Sequence, residues 1–114
     1  MHELSIALSI IEGAAAEAAR HDVKVAAVRL RMGALSGVAP DALLFAYELA
    51  CAGTALAGSR LLIEETPVVV FCPRCQTERA LASIRSFRCP VCDTSTPEVV
   101  RGRELELVAL EVSE

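Results

Sequence analysis

Aromatic side chains are scarce in this chain of 114 residues, which has no tryptophan, one tyrosine and three phenylalanines. Proteins that bind single-stranded nucleic acid usually stack bases on aromatic rings, so this scarcity argues against that role. Positive charge is also limited, because 11 Lys and Arg residues face 15 Asp and Glu residues, for a net charge of -4. An acidic chain lacks the clustered cations that a phosphate backbone requires. We therefore expect no nucleic-acid partner.

Long uninterrupted apolar runs are absent as well, although 54% of the residues are hydrophobic. Glu12, Glu17 and Glu48 break the longest runs before they reach the roughly 18 residues of a membrane-spanning helix. The start of the chain offers His2 and Glu3 where a secretory signal would carry positive charge. We expect no membrane partner and a cytoplasmic location.

Three sequence patterns of common enzymes are missing too. The chain shows no Ser-His-Asp set, no phosphate-cradling glycine loop and no paired buried carboxylates. We therefore expect that it is not an enzyme.

Hydrophobic periodicity predicts an α+β fold. Apolar residues recur every three or four positions from Glu3 to about His21, which predicts a first helix. Proline suits the first position of a helix, and the pattern that follows it predicts a second helix over 40–51. Alternating or β-rich stretches predict three strands, over 23–32, 60–71 and 104–112. We expect two helices packed on a small three-stranded sheet.

Two details of this sheet can be anticipated. Arg29 and Arg31 share one face of the first strand, while Glu104 and Glu106 share one face of the last, so these charges are expected to pair across the sheet. Pro67 cannot donate a ladder hydrogen bond, so it must lie at an edge or a bend of the second strand.

Four of the five cysteines form two C-x-x-C pairs in the stretch FCPRCQTERALASIRSFRCPVCD. The pairs are Cys72 with Cys75 and Cys89 with Cys92, and thirteen residues separate them. This spacing is typical of tetrahedral zinc held by four cysteines, whereas a dithiol redox protein usually has one such pair. Four protein ligands leave no position for a substrate water. The zinc is therefore expected to be structural.

The segment 71–97 is predicted to be an inserted zinc ribbon, with 1–70 plus 98–114 forming the other domain. It has few large apolar side chains, and structural zinc supplies roughly 10 to 16 kcal/mol in place of a core. Four thiolates around Zn²⁺ carry a formal charge of about -2, which the segment's arginines are expected to offset: Arg74, Arg79, Arg85 and Arg88. Cys51, on the apolar side of the second helix, is expected to be a buried, inert thiol.

The first three residues, Met1, His2 and Glu3, offer a different set of metal donors. The terminal amine, the His2 amide nitrogen and the His2 imidazole form fused chelate rings in one plane, an arrangement that suits Ni(II) or Cu(II). The fourth donor stays open: it could be the Glu3 amide or carboxylate, a water or a group from a partner. A histidine near a chain terminus is more often a solvated side chain, so this motif alone is weak.

In combination, these features resemble the HypA/HybF family of hydrogenase nickel-incorporation proteins. The likeness rests on MHELS at the start, the apolar helix after it, a strand ending in RMG, and CP-x-C pairs inserted before a last strand. It spans essentially the whole chain.

The resemblance implies a nickel metallochaperone that works with a GTPase partner and delivers Ni²⁺ to the large subunit of [NiFe]-hydrogenase. In some organisms such proteins also serve urease maturation. It implies nickel at Met1, His2 and Glu3 in the domain 1–70 plus 98–114, and zinc at the four paired cysteines. Some members have a further histidine near the end of the zinc module, where this chain reads TSTPE from Thr94. His21 is expected to cap a helix or lie on the surface.

A competing hypothesis is a zinc-ribbon adaptor that binds protein or nucleic acid without delivering nickel. In that case the amino terminus would be inert.

Overall fold

A computed structural model describes residues 3–113 of the chain. Two helices and two three-stranded sheets make up the fold, with strand orders β2-β1-β6 and β4-β3-β5. This confirms the predicted α+β class. No helix within residues 3–113 has the length and apolar character needed to cross a bilayer. The elements in chain order are α1 Glu3–His21, β1 Lys24–Gly33, α2 Pro40–Cys51, β2 Arg60–Thr66, β3 Val69–Cys72, β4 Thr77–Ala80, β5 Glu98–Arg101 and β6 Leu105–Ser113.

The described residues divide into two compact units. The first contains residues 3–30, 38–64 and 106–113, and therefore both helices. The second contains 31–37 and 65–105. It includes the whole predicted zinc ribbon, 71–97, together with segments on either side of it and a separate piece of chain from 31 to 37.

The two helices pack against each other in the first unit, and the sequence predicted the bounds of both. Each helix buries one apolar stripe, because residues three and four apart lie on one helical face. The stripe of α1 differs in part from the predicted one, since the period placed Leu4 and Leu8 on it and both are exposed. Leu44, expected on the buried side of α2, is exposed as well. The buried residues of α1 are Ala7, Ile10, Ile11, Ala14 and Ala18, and those of α2 are Leu43, Ala46, Tyr47 and Cys51.

Charge pairing on the first sheet differs from the expectation. Arg29 on β1 forms an ion pair with Glu111 on β6, with 2.6 Å between the guanidinium and a carboxylate oxygen. Glu104 lies just before β6 and binds Thr66 and Gly102 instead. The prediction that Glu104 would face the β1 arginines is therefore wrong, because the offset between β1 and β6 sets which residues meet, and alternation alone does not reveal it.

The predicted single strand over 60–71 is also wrong, because Pro67 divides it. The chain forms β2 up to Thr66 and β3 from Val69, and the two strands belong to different sheets. Proline lacks a backbone N–H and cannot continue a ladder, so it favours a bend at this point.

The second unit is built around β3, which pairs antiparallel with β4 on one side and β5 on the other. The β3–β5 register shifts between Val69 and Val70. A small hydrophobic cluster in this unit has three buried residues and three partly buried ones: Val68, Val70 and Leu81, then Leu35, Phe87 and Val99. A core of this size provides little burial energy, which agrees with the need for a metal.

Within the second unit, the backbone at Gly33 lies directly against the backbone at Gly102. The Gly33 amide donates to the Glu104 carbonyl at 2.8 Å, and the Leu35 amide donates to the Gly102 carbonyl at 2.6 Å. A β-carbon at position 33 would lie 2.2 Å from the Gly102 carbonyl oxygen, far inside van der Waals contact. Only glycine fits at position 33, because the neighbouring atoms belong to the backbone and cannot rotate away.

We predict that Gly33→Ala destabilises the protein by at least about 3 kcal/mol, since its methyl group must displace backbone rather than a flexible side chain. The measurement is urea unfolding of the zinc-loaded protein. Gly13→Ala is the matched control: Gly13 is exposed within α1, and a β-carbon there meets nothing within 4 Å. That change should instead add about 0.5 to 1 kcal/mol of stability. Equal stability of the two variants would contradict the prediction.

Glu104 joins two parts of the second unit. Its carboxylate accepts a hydrogen bond of 2.6 Å from the Thr66 hydroxyl and one of 2.7 Å from the Gly102 amide. The pKa of Glu104 is lowered, first by the Thr66 hydrogen bond and then by its own amide and that of Gly102. The ionised carboxylate is therefore the form that the fold favours.

This lowered pKa gives a pH prediction. The Glu104 contribution to stability is present above the unfolded pKa of about 4.3 and is lost as pH falls through the folded value. Glu104→Gln should therefore be less stable than the wild type at pH 7, and the difference should shrink as the solution is acidified. Thermal unfolding across pH 7 to 3 measures it, with the exposed Glu65→Gln as control. A stability difference independent of pH would count against this role of the Glu104 charge.

Candidate metal sites

The two C-x-x-C pairs converge in the second unit. The metal-binding atoms of Cys72, Cys75, Cys89 and Cys92 all lie within 4.8 Å of one another. The sulfurs are 3.5 Å apart for Cys72 and Cys92 and 3.9 Å apart for Cys75 and Cys89, so each of these contacts joins one pair to the other. Among residues 3–113, this is the one group of three or more Cys, His, Asp or Glu side chains arranged to hold a metal ion.

Each C-x-x-C pair lies in a turn of its own, and the two turns have the same conformation. The Gln76 amide donates to the Cys72 carbonyl at 2.9 Å, and the Asp93 amide donates to the Cys89 carbonyl at 2.8 Å. Gln76 and Asp93, each directly after the second cysteine of a pair, have positive φ angles of 54° and 62°. Each turn reverses the chain tightly enough for both of its sulfurs to face one point.

Zinc fits this donor set. Zn–S bonds of about 2.3 Å in a tetrahedron place the sulfurs about 3.8 Å apart, and the two contacts of 3.5 and 3.9 Å lie close to that value. Backbone amides also point at the sulfurs: the Cys75 amide lies 3.3 Å from Cys72 Sγ, and the Val91 amide lies 3.4 Å from Cys89 Sγ. Such amides stabilise thiolates. The four cysteines would hold zinc, and with four ligands the metal would brace the fold.

The thiol pKa values differ within the cluster. Burial raises the pKa of Cys89, but amide hydrogen bonds from Cys92 and Val91 outweigh burial and lower it. At Cys72 the Cys75 amide acts to lower the pKa, but burial and the neighbouring Cys92 thiol raise it overall. Four thiols this close cannot all ionise together unless a cation balances them, which is the requirement that a divalent metal meets.

Met1 and His2, two of the three residues of the predicted nickel site, lie outside the described residues. Glu3 is described and begins α1. Its carboxylate accepts a hydrogen bond from the Ala39 amide at 3.5 Å, the upper limit for such a bond, and Ala39 is the residue that precedes α2. The starts of both helices therefore lie at the Glu3 carboxylate, and a negative charge is favourable at both.

His21 lies at the opposite end of α1 from Glu3. Eighteen residues of helix at about 1.5 Å each separate the two by about 27 Å. The imidazole is exposed, and its Nε2 lies 3.2 Å from Glu17, one turn earlier. His21 therefore has a surface position at the helix end opposite Glu3.

Cys51, the fifth cysteine, is 3% exposed and lies in α2 of the first unit, whereas the other four belong to the second unit. Its Sγ is 3.9 Å from the Ser59 hydroxyl, which accepts a hydrogen bond from Tyr47 and itself donates to the Leu56 carbonyl. Cys51 is therefore buried by its position in α2 and by its contact with Ser59, and its burial needs no metal.

Comparison with known proteins identifies the family. A family model described as "Hydrogenase/urease nickel incorporation, metallochaperone, hypA" matches residues 1–112. The chain belongs to the HypA family. The hydrogenase maturation factor HypA of Chloroflexus aurantiacus is 56% identical over 112 residues, which cover 97% of this chain and 98% of the relative. That of Thermomicrobium roseum is 40% identical over 128 aligned positions and 98% of both chains.

Two solved structures of HypA proteins share the fold. The solution structure of the nickel metallochaperone HypA from Helicobacter pylori covers 98% of this chain with a TM-score of 0.67 and 22% identity. A second solution structure of a HypA protein covers 99% with a TM-score of 0.73, also at 22% identity. The resemblance seen in the sequence is thus confirmed at the level of family and fold.

Thr94 occupies the region where some HypA family members are expected to have a histidine. A hydrogen bond of 3.1 Å joins its hydroxyl to Cys92 Sγ, and this contact lowers the pKa of Cys92. In this stretch the chain therefore has a hydroxyl that supports a cysteine. Sequence reasoning overlooked the contact, although threonine two residues after a cysteine was a visible signal.

We predict that Cys72→Ser lowers the zinc content from one ion per chain to well below one, because a cluster with three sulfurs loses its tetrahedral set. Elemental analysis of purified, dialysed protein measures the stoichiometry. Cys51→Ser is the matched control and should keep one zinc, since Cys51 lies outside the cluster. Loss of zinc in both variants, or in neither, would contradict the assignment of ligands.

Proposed function

We propose that this chain binds Ni²⁺ at its amino terminus through Met1, His2 and Glu3 and delivers it during [NiFe]-hydrogenase maturation. It acts with a GTPase partner that hydrolyses GTP, and the hydrogenase large subunit receives the metal. The chain itself catalyses no reaction. Urease maturation proteins are a second class of partner in this proposal, since the family description includes urease.

The observation that carries the proposal is the match of residues 1–112 to a nickel-incorporation family, on a chain that starts Met-His-Glu. The relatives of highest identity reported above are named hydrogenase maturation factors. Because nickel is the cargo of this family, a donor set distinct from the cysteine cluster is needed to carry it.

The positions of the histidines support the amino terminus as that donor set. The chain has two histidines, and His21 lies about 27 Å from Glu3 along α1. Four thiolates in a tetrahedron suit zinc, whereas nitrogen donors in a plane suit Ni(II). His2 is therefore the imidazole that can join the terminal amine.

Glu3 has a defined part in this proposal. Its carboxylate interacts with the Ala39 amide at the start of α2, so the carboxylate serves to orient the first residues. The positive ends of two helices lie near this point and weaken the attraction for a cation. A moderate nickel affinity suits a protein that must release its cargo.

The domain division belongs to this proposal as well. The nickel domain comprises 1–70 plus 98–114, and the zinc ribbon comprises 71–97. The ribbon holds the metal that braces the fold, while the other domain holds the metal that is transferred.

The experiment compares nickel binding by zinc-loaded protein with its native start and by the same protein extended by Gly-Ser before Met1. We predict that the extension weakens nickel binding at least about tenfold, equivalent to about 1.4 kcal/mol, because it removes the free amine from the chelate. His2→Ala should weaken binding similarly. Isothermal titration calorimetry measures both.

His21→Ala is the matched control, because it removes the other imidazole, and it should bind nickel like the wild type. Equal binding by the native and extended proteins would overturn the terminal site. That result would favour the competing hypothesis, in which the chain is a zinc-ribbon adaptor.

A further inference from the structure

Arg79 differs in its surroundings from the other three arginines of the zinc ribbon. Its side chain is half-buried, and its Nε atom is fully shielded and has no hydrogen-bond partner among residues 3–113. Arg74, Arg85 and Arg88 are exposed. Burying a charged guanidinium away from water costs free energy unless a negative charge lies beside it.

The sheet register explains where Arg79 points. Arg79 on β4 lies opposite Val70 on β3, and Cys72 lies two residues further along β3, opposite Thr77. Paired residues share a face of the sheet, and so do residues two apart along a strand. Arg79 therefore lies on the same face of the hairpin as the first zinc cysteine.

The pKa of Arg79 is raised, and Cys75 and Cys89 are the main causes, as expected of thiols near a guanidinium. These two sulfurs are 3.9 Å apart and belong to different C-x-x-C pairs. Arg79, which lies on the face of Cys72, is therefore placed to act on sulfurs of both pairs.

The other hydrogen bonds to the sulfurs are unevenly distributed. Cys89 Sγ has two amides near it, and Cys72 Sγ has one at 3.3 Å. Cys92 Sγ has the Thr94 hydroxyl. The hydrogen bonds found within residues 3–113 join Cys75 Sγ to Cys89 Sγ and include none from an amide or a hydroxyl to Cys75 Sγ.

We propose that Arg79 is a positioning residue for the zinc cluster. Its guanidinium supplies the missing hydrogen bonding at Cys75 and balances the negative charge of the Cys75 and Cys89 thiolates. It thereby slows the loss of zinc from the ribbon. The proposal rests on zinc as the occupant of the four cysteines.

The experiment replaces Arg79 by glutamine and measures two properties of the purified full-length protein. The first is the rate at which zinc passes to an excess of the chelator 4-(2-pyridylazo)resorcinol. The second is the near-ultraviolet sulfur-to-metal charge-transfer band after replacement of zinc by Co²⁺. Arg85→Gln is the matched control, because it removes the same charge from an exposed position of the same segment.

We expect Arg79→Gln to release zinc about tenfold faster than the wild type, as is typical when an outer-shell partner of a metal ligand is lost. Its cobalt band should move to longer wavelength, because thiolates without a nearby cation give up charge more easily. Arg85→Gln should match the wild type in both measurements. Arg79→Lys, which keeps the charge but not the forked geometry, should lie between wild type and glutamine.

The proposal is overturned if Arg79→Gln and Arg85→Gln have the same cobalt band and the same release rate. It is also overturned if Arg79→Lys is as defective as Arg79→Gln, since the positive charge would then be irrelevant. A wild-type protein that takes up neither zinc nor cobalt would overturn the zinc assignment itself, and this result is distinct from the first two. None of these outcomes depends on nickel, so they do not test the proposed delivery of nickel.

Discussion

The convergence of four cysteine sulfurs is the constraint on which the second unit depends. One hydrophobic cluster of this unit has three buried residues and three partly buried ones packed against them, a small core for more than forty residues. The sulfurs approach to 3.5 and 3.9 Å, at which distance their negative charges repel unless a metal lies among them. The same metal that relieves this repulsion closes the loop between the two C-x-x-C turns. Folding of the ribbon and metal binding are therefore one event.

Local patterns in the sequence were sufficient for the helices and the cysteine pairs. The bounds of α1 and α2 could be predicted because a 3.6-residue period and, for α2, a proline at the first position lie within the segment itself. The buried side of α1 could not be predicted as well, since Leu4 and Leu8 follow the period and are exposed. The C-x-x-C spacing likewise predicts the turns that hold the cysteines. The same spacing is part of the family resemblance. For both features, the information lies in residues close together in the chain.

Features that depend on distant parts of the chain could not be predicted in the same way. The pairing of Arg29 with Glu111 depends on the offset between β1 and β6, which no local pattern specifies. The contact of Gly33 with Gly102 requires two backbones to approach, and a glycine by itself does not indicate its neighbour. Four arginines of the ribbon look equivalent in the sequence, and only the pairing of β3 with β4 directs Arg79 toward the sulfurs. The proposed nickel site had the weakest local signal, because a histidine at position 2 suggests a metal ligand only together with a free terminal amine.

Under the proposed function, the chemistry of the two donor sets would let one small protein keep two metals apart. The ribbon presents sulfur ligands, and where some family members are expected to have a histidine it presents Thr94, whose hydroxyl binds Cys92. A hydroxyl beside a zinc-bound thiolate would stabilise that thiolate. It is not an imidazole nitrogen, so it would not serve as a donor to a planar nickel ion. The one histidine among residues 3–113 is exposed at the far end of α1. Under the proposed function, nickel would thus depend entirely on the first residues of the chain, and exchange of metal between the sites would need a change in both ligand type and geometry. Such a separation lets the cargo leave without disturbing the metal that holds the ribbon together.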